Sequence, residues 1–232
     1  MRRPGRIAVA EELLDEPVHD PRVLADSLRD LARVNRYLGG TRAVLLALRD
    51  VLGAGSSLLD VGTGAADIPR TLARRARRRG EVSRIVGCDV HAQTVEIASE
   101  WCRGFPEIRI VRGSALALPF ADGAFDVALL SLTFHHFDDD AQLVALRELA
   151  RVTRRRIIVN ELERSWPNYV GARLLAATLW RGNRLTRHDG PLSVLRGFTA
   201  DELRERAHAA ELRSIRVDRR FFYRLVLSAE PG

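Results

Sequence analysis

The chain has 232 residues, of which 46% are hydrophobic and 29% charged. That is globular composition. It excludes disordered and collagen-like classes, and the length suits one large domain or two small ones. All 37 basic residues are Arg, so phosphate-loop and Schiff-base lysines are excluded. A chain without Lys reflects a GC-rich genome more than a selected basic surface, which discounts the net charge of +7. No apolar run approaches the roughly 20 residues that span a bilayer. The N-terminal MRRPGRIAVAEELLDE meets Glu11 and Glu12 before an apolar core forms, so no secretory leader is expected. Cys88 and Cys102 are the only cysteines. Two thiols make neither a disulfide framework nor a cysteine zinc site, so a reducing cytoplasm and no metal are expected.

In chain order, Leu24, Leu28, Leu31, Val34 and Leu38 follow helical spacing, and Gly39-Gly40 stops that helix. A second helix is predicted over 41–52. Short apolar runs then alternate with helices. The runs are 58–61, 84–89, 108–111, 125–130 and 156–160, and the helices 68–79, 93–103 and 139–151 lie between them. Runs apolar on both faces are strands covered on both sides, and the alternation predicts a parallel, doubly wound α/β sheet. After Asn160 the order breaks. A helix over 167–180 and a polar loop over 181–190 are expected. A helix over 199–210 follows, with Thr199 and Glu202 as a capping box. Runs 214–218 and 221–228 read as an antiparallel pair at the sheet edge. These elements divide into N-terminal cap helices, 1–52, and one compact domain, 53–232, with a lid insert over 162–197.

The first strand runs into Asp60-Val61-Gly62-Thr63-Gly64-Ala65-Ala66-Asp67. Glycines at a strand-to-helix turn admit a ligand against the backbone, with helix amides facing it. Asp89 ends the second strand, where a carboxylate can accept from both ribose hydroxyls. Ala66 stands where a dinucleotide loop keeps its third glycine. Asp60, at the strand end, would repel a phosphate and suits a cationic ligand. S-adenosylmethionine carries an ammonium, a sulfonium and a carboxylate, and no phosphate.

With these features the sequence resembles the class I S-adenosylmethionine-dependent methyltransferases. LLDVGTGAADIP looks like the family's first motif and GCDVHAQTVEIA like its second. VRGSALALPFADGAFDVALLSLTFHHF is similar to the small-molecule group related to ubiquinone and menaquinone methyltransferases. The resemblance implies a seven-stranded sheet of order 3-2-1-4-5-7-6 with the last strand antiparallel. It also implies S-adenosylmethionine as cofactor, held by Asp60, Gly62, Thr63, Gly64, Asp89, Val90, Ala115 and Ser131. Ser114 stands where the family often has an Asp toward the adenine. Arg36 is a candidate partner for the methionine carboxylate.

Methyl transfer is an in-line displacement in which positioning dominates, with a base where the nucleophile is a hydroxyl or an activated ring carbon. His135 and His136 follow the fourth strand, and His titrates near neutral pH. His188, beside Asp189 in the insert, is the rival base. Glu161 could orient a substrate or a histidine. Trp166 and Tyr169 are candidate substrate contacts, with Leu174 and Trp180 on the same segment. The expected reaction is O-methylation of a phenolic or polyketide-like metabolite. The alternatives are C-methylation of an activated ring, methylation of RNA or protein, and cofactor binding without transfer. The clusters Arg74–Arg79 and Arg151–Arg156 invite nucleic acid but lie away from the expected cofactor edge, which disfavours it. A monomer or homodimer is expected, without membrane insertion.

Overall fold

A computed structural model describes residues 3–7, 12–16, 19–80 and 84–232. The leader-free reading of the N-terminus and the cap of 1–52 thus fall partly outside the described residues, Glu11 included. Seven strands form one sheet: β1 (Ser57–Val61), β2 (Arg84–Asp89), β3 (Ile108–Arg112), β4 (Phe125–Ser131), β5 (Thr153–Leu162), β6 (Arg213–Arg220) and β7 (Arg224–Glu230). Their order is β3-β2-β1-β4-β5-β7-β6. β7 runs antiparallel to both of its neighbours, and the remaining pairs are parallel. This is the order the motifs implied.

Alternate residues of β4 explain why the sheet is buried. Ala128 and Leu130 enter one apolar cluster while Val127 and Leu129 enter another on the opposite face. Helices cover both faces, as a parallel sheet requires. α1 (Pro21–Tyr37), α2 (Gly40–Ala47), α3 (Asp67–Arg78) and α4 (Ala92–Trp101) precede β3; α5 (Asp139–Val152) precedes β5. Asp20 caps α1 by accepting from the amides of Arg22 and Val23, with Pro21 at the first helical position.

After β5 come α6 (Trp166–Ala177), α7 (Arg184–Arg196) and α8 (Ala200–Ala209). Both halves of the Thr199–Glu202 capping box form at α8. The expected polar loop over 181–190 is a loop only to Asn183. The Asn183 side chain accepts from the amides of Leu185 and Thr186 and starts α7 there. Leu185, Pro191 and Val194 are buried; their packing offsets the hydrogen bond that Pro191 cannot donate. The second helix ends at Ala47 rather than 52. At the C-terminus the strand expected from 221 begins at Arg224, because Phe222 and Tyr223 turn the chain with φ of 58° and 55°. Neither a glycine nor an asparagine marks that turn.

Candidate active site

The carboxyl ends of β1, β2, β4 and β5 open into one cavity of about 700 Å³, roofed by the segment around Glu12 and by α1, α6 and α7. That is the size range of cofactor and small-molecule sites. Gly62 turns away from β1 at φ +66°, and a Cβ there would come within 2.2 Å of Thr133 Oγ1. Only glycine meets both constraints. The Thr63 hydroxyl donates to Asp60 at 2.7 Å, and the Thr63 amide donates to the Cys88 carbonyl at 3.0 Å. Asp89 accepts from the amides of Gly64 at 3.0 Å and His91 at 3.1 Å, which fixes its carboxylate across the turn.

Three carboxyls converge here, and none has an easy charge. Burial pushes Asp60 up to about 8 against the donation from Thr63, and Asp67 and Asp89 raise it further. Burial also lifts Asp67, to about 6, with its own amide, Arg70 and Asn35 opposing. Asp89 is raised by burial against the amides it accepts from. Carboxyls whose ionisation burial opposes are stabilised in their charged form by a cation brought beside them. This donor set fits S-adenosylmethionine.

Val90, Ser114, Ala115 and Ser131 also line the cavity. The Ser114 hydroxyl accepts from the Leu116 amide at 3.2 Å, and Asn160 donates to the Ser131 hydroxyl at 2.8 Å. Arg36 does not reach it. Its side chain is exposed beside the Tyr37 ring, at 5.5 Å, and faces a separate arginine-rich groove. Arg224, at the start of β7, lines the cavity instead. Its guanidinium is 1% exposed, and neither Nε nor Nη1 has a hydrogen-bond partner. Burial pulls it down to about 10, opposed by the charges of Glu161 and Asp67. A lone Arg opening a strand-like run gave no signal of this.

His135 and His136 sit on the 3-10 turn Phe134–His136 and line the cavity wall. His135 Nδ1 lies 2.8 Å from Glu161 Oε2, and Glu161 Oε1 accepts from the Phe134 amide at 2.8 Å. Burial opposes ionisation of Glu161, but attraction to and bonding with His135 outweigh it and hold the carboxyl below its ordinary range. Glu161 thus stands behind His135 and off the cavity wall. His188 is half-exposed on α7 and bonded to Asp189 at 2.8 Å, outside the cavity. The helix that replaced the expected loop turns it outward, while Asp189 faces in and accepts from the amides of Leu13 and Leu14. Trp166 and Tyr169 stack edge to face with ring centres 6.1 Å apart, also outside. The aromatic lining comes from Trp180, on the segment that carries Trp166 and Tyr169, and from Phe137, Phe222 and Tyr223. Glu12 lines the wall as well, 3% exposed.

Residues 59–158 match the model of the family described as a methyltransferase domain. Over those residues the chain is similar to methyltransferase domains, and its sheet has the strand order expected of the class I S-adenosylmethionine-dependent methyltransferases. Among curated proteins the chain is 37% identical over 101 residues to a 2-phytyl-1,4-naphtoquinone methyltransferase of Thermosynechococcus vestitus, covering 44% of this chain and 43% of that one. It is 32% identical over 121 residues to a demethylmenaquinone methyltransferase of Bacillus licheniformis, covering 52% and 50%. The chain therefore spans about half the length of the curated relatives it matches. A S-adenosylmethionine-dependent methyltransferase structure from Aquifex aeolicus superposes with TM-score 0.65 at 20% identity, covering 93% of this chain and all of that one, a likeness of fold. Among the described residues no helix is long and apolar enough to cross a membrane.

Proposed function

We propose that the chain methylates an oxygen of a small, ring-bearing, apolar acceptor, phenolic or polyketide-like. One observation carries this reading: a single cavity, with mostly apolar walls, joins the acid-lined glycine loop to the histidine cluster. Asp60 would face the cofactor's ammonium, Asp89 its ribose hydroxyls and Val90 its adenine. Arg224 takes the role first given to Arg36, against the carboxylate. When bound, S-adenosylmethionine supplies an electrophilic methyl on a sulfonium that leaves as a neutral thioether. The apolar wall of Leu174, Trp180, Phe222 and Tyr223 holds the acceptor ring and excludes water. Its hydroxyl gives up its proton at the His135–His136 cluster as the oxygen gains the methyl carbon. The N-terminal helices act as a cap and α6–α7 as a lid. Two buried free thiols suit a reducing cytoplasm.

The relatives' names support a second reading, an acceptor with a quinone-type ring methylated at carbon. The test measures S-adenosylhomocysteine release over phenols, polyketide enols and naphthohydroquinones. Turnover of a phenol with the methyl on oxygen is expected. His136→Ala should lower the rate about 10²–10⁴-fold while S-adenosylhomocysteine still binds. A methyl found on a ring carbon selects the second reading. Tight cofactor binding with no turnover on any acceptor would overturn both.

A further inference from the structure

Glu12, His135 and His136 present carboxylate and imidazole atoms that all lie within 4.8 Å of one another at the cavity wall. Their spacing is unusual for an ion pair. His135 Nε2 stands 3.6 Å from Glu12 Oε1, and His136 Nε2 stands 3.7 Å from Glu12 Oε2. A charge-assisted hydrogen bond closes to about 2.8 Å, as the other nitrogen of the same His135 ring does with Glu161, at 2.8 Å. Ligands about 2.1 Å from a shared ion, at angles of 90–109°, stand about 3.0–3.4 Å apart. The two imidazole–Glu12 separations are a few tenths of an ångström wider than that, and the third edge, between the imidazoles, lies within 4.8 Å.

A second observation points the same way. His135 is 2% exposed, yet its Nε2 has no hydrogen-bond partner. With Glu161 accepting from Nδ1–H, the neutral imidazole carries its lone pair on Nε2, which faces Glu12. A carboxylate behind a histidine is how ligating imidazoles are commonly oriented. The charges agree. Glu12 and Glu161 are both buried. Arg196 brings a positive charge beside Glu12: its Nη1 lies 3.9 Å from Oε1 and its Nε donates to the His135 carbonyl. The Ser193 hydroxyl lies 3.1 Å from each Glu12 oxygen and orients the carboxylate.

We propose that Glu12, His135 and His136 bind one divalent first-row transition ion, with Zn²⁺ the best match to two imidazoles and a carboxylate. The cluster forms part of the cavity wall, so an acceptor oxygen can join as a further ligand and be held in its ionised form. That purpose rests on the methyl-transfer reading; the site itself rests on the three side chains.

The full chain, stripped with a chelator and desalted, is titrated with ZnCl₂ by calorimetry. One site with a Kd of about 1 µM or tighter is expected. Glu12→Gln and His136→Ala should each weaken it at least about 100-fold, and His188→Ala should leave it unchanged. Thermal melts with and without ZnCl₂ show whether each variant folds, and the metal-dependent rise should vanish in the two ligand variants. S-adenosylhomocysteine affinity, measured on the same samples, should not change, which separates this test from the cofactor reading. Wild-type binding weaker than about 100 µM, or equal binding by wild type and Glu12→Gln, would overturn the site.

Discussion

Binding of S-adenosylmethionine should release a proton, and Asp60 should be its source. The carboxyl is 2% exposed and receives one side-chain hydrogen bond, from Thr63. With its value near 8, it is mostly neutral at pH 7. An ammonium placed beside it favours the carboxylate, so binding is coupled to deprotonation. The free protein then holds one more proton than the complex, and affinity rises with pH up to about 8. Between pH 6.5 and 7.5 the gain is about eightfold, or about 1.2 kcal/mol. Asp67, near 6, would add a second proton only below that window, and the Arg70 charge beside it does not titrate there. Calorimetry in two buffers of different ionisation heat should count close to one proton per cofactor at pH 7. Asp60→Asn should flatten the slope and bring the count near zero. The same group governs stability with the opposite sign. Its ordinary value is 3.8, so between about pH 4 and 8 the folded state binds the extra proton and stability falls as pH rises. Asp60→Asn should therefore stabilise the free protein at pH 8 and change little at pH 4. An unaltered slope in Asp60→Asn would refute the assignment, since some other group would then carry the proton.

Replacing Asp89 by Ala removes the proposed ribose acceptor and should cost about 2–3 kcal/mol of S-adenosylhomocysteine binding by calorimetry. Gly62→Val forces a side chain onto Thr133 at positive φ and should abolish that binding; normal affinity would place the cofactor elsewhere. Arg224→Met replaces a buried guanidinium, whose Nε and Nη1 lack hydrogen-bond partners, by an apolar chain. It should raise the melting midpoint of the free protein while weakening S-adenosylhomocysteine about tenfold or more, because the same missing partners explain both effects. Phe222→Ala should raise KM for any accepted ring, whereas Trp166→Ala, outside the cavity, should leave KM and kcat unchanged.

The sheet was legible because its signals are local and repeated. Each central strand is a short run apolar on both faces, such as Phe125–Ser131, and each is followed by a turn or helix with its own cap. The order around β1 followed from family resemblance, and the strand pairing has that order. Reading failed where local chemistry competed with packing. Asp189-Gly190-Pro191 has turn chemistry, yet Asn183 caps a helix through it and Leu185 and Val194 bury its inner face. Phe221-Phe222-Tyr223 has strand chemistry, yet the hairpin must turn there for Arg224 to pair opposite Leu162.

The same two misreadings explain why the acceptor half of the cavity was harder to read than the cofactor half. The glycine loop and Asp89 lie within 30 residues of chain, so spacing alone assembles them. The far wall is assembled from parts remote in sequence: Glu12 before the first helix, His135 and His136 after β4, with Glu161 of β5 behind His135, and Phe222 and Tyr223 before β7. Only the two histidines lie in a motif, and no spacing in the sequence brings Glu12 to them. Turning α7 into a helix carries His188 outward and sets Asp189 on the amides of Leu13 and Leu14, which holds the N-terminal segment where Glu12 can reach the two histidines. The insert thus shapes the site through the segment it anchors, not through the base it was expected to supply. A change that loosens that anchor, such as Asp189→Asn, would act on the histidine cluster from a distance, through Glu12, and leave the cofactor loop as it is.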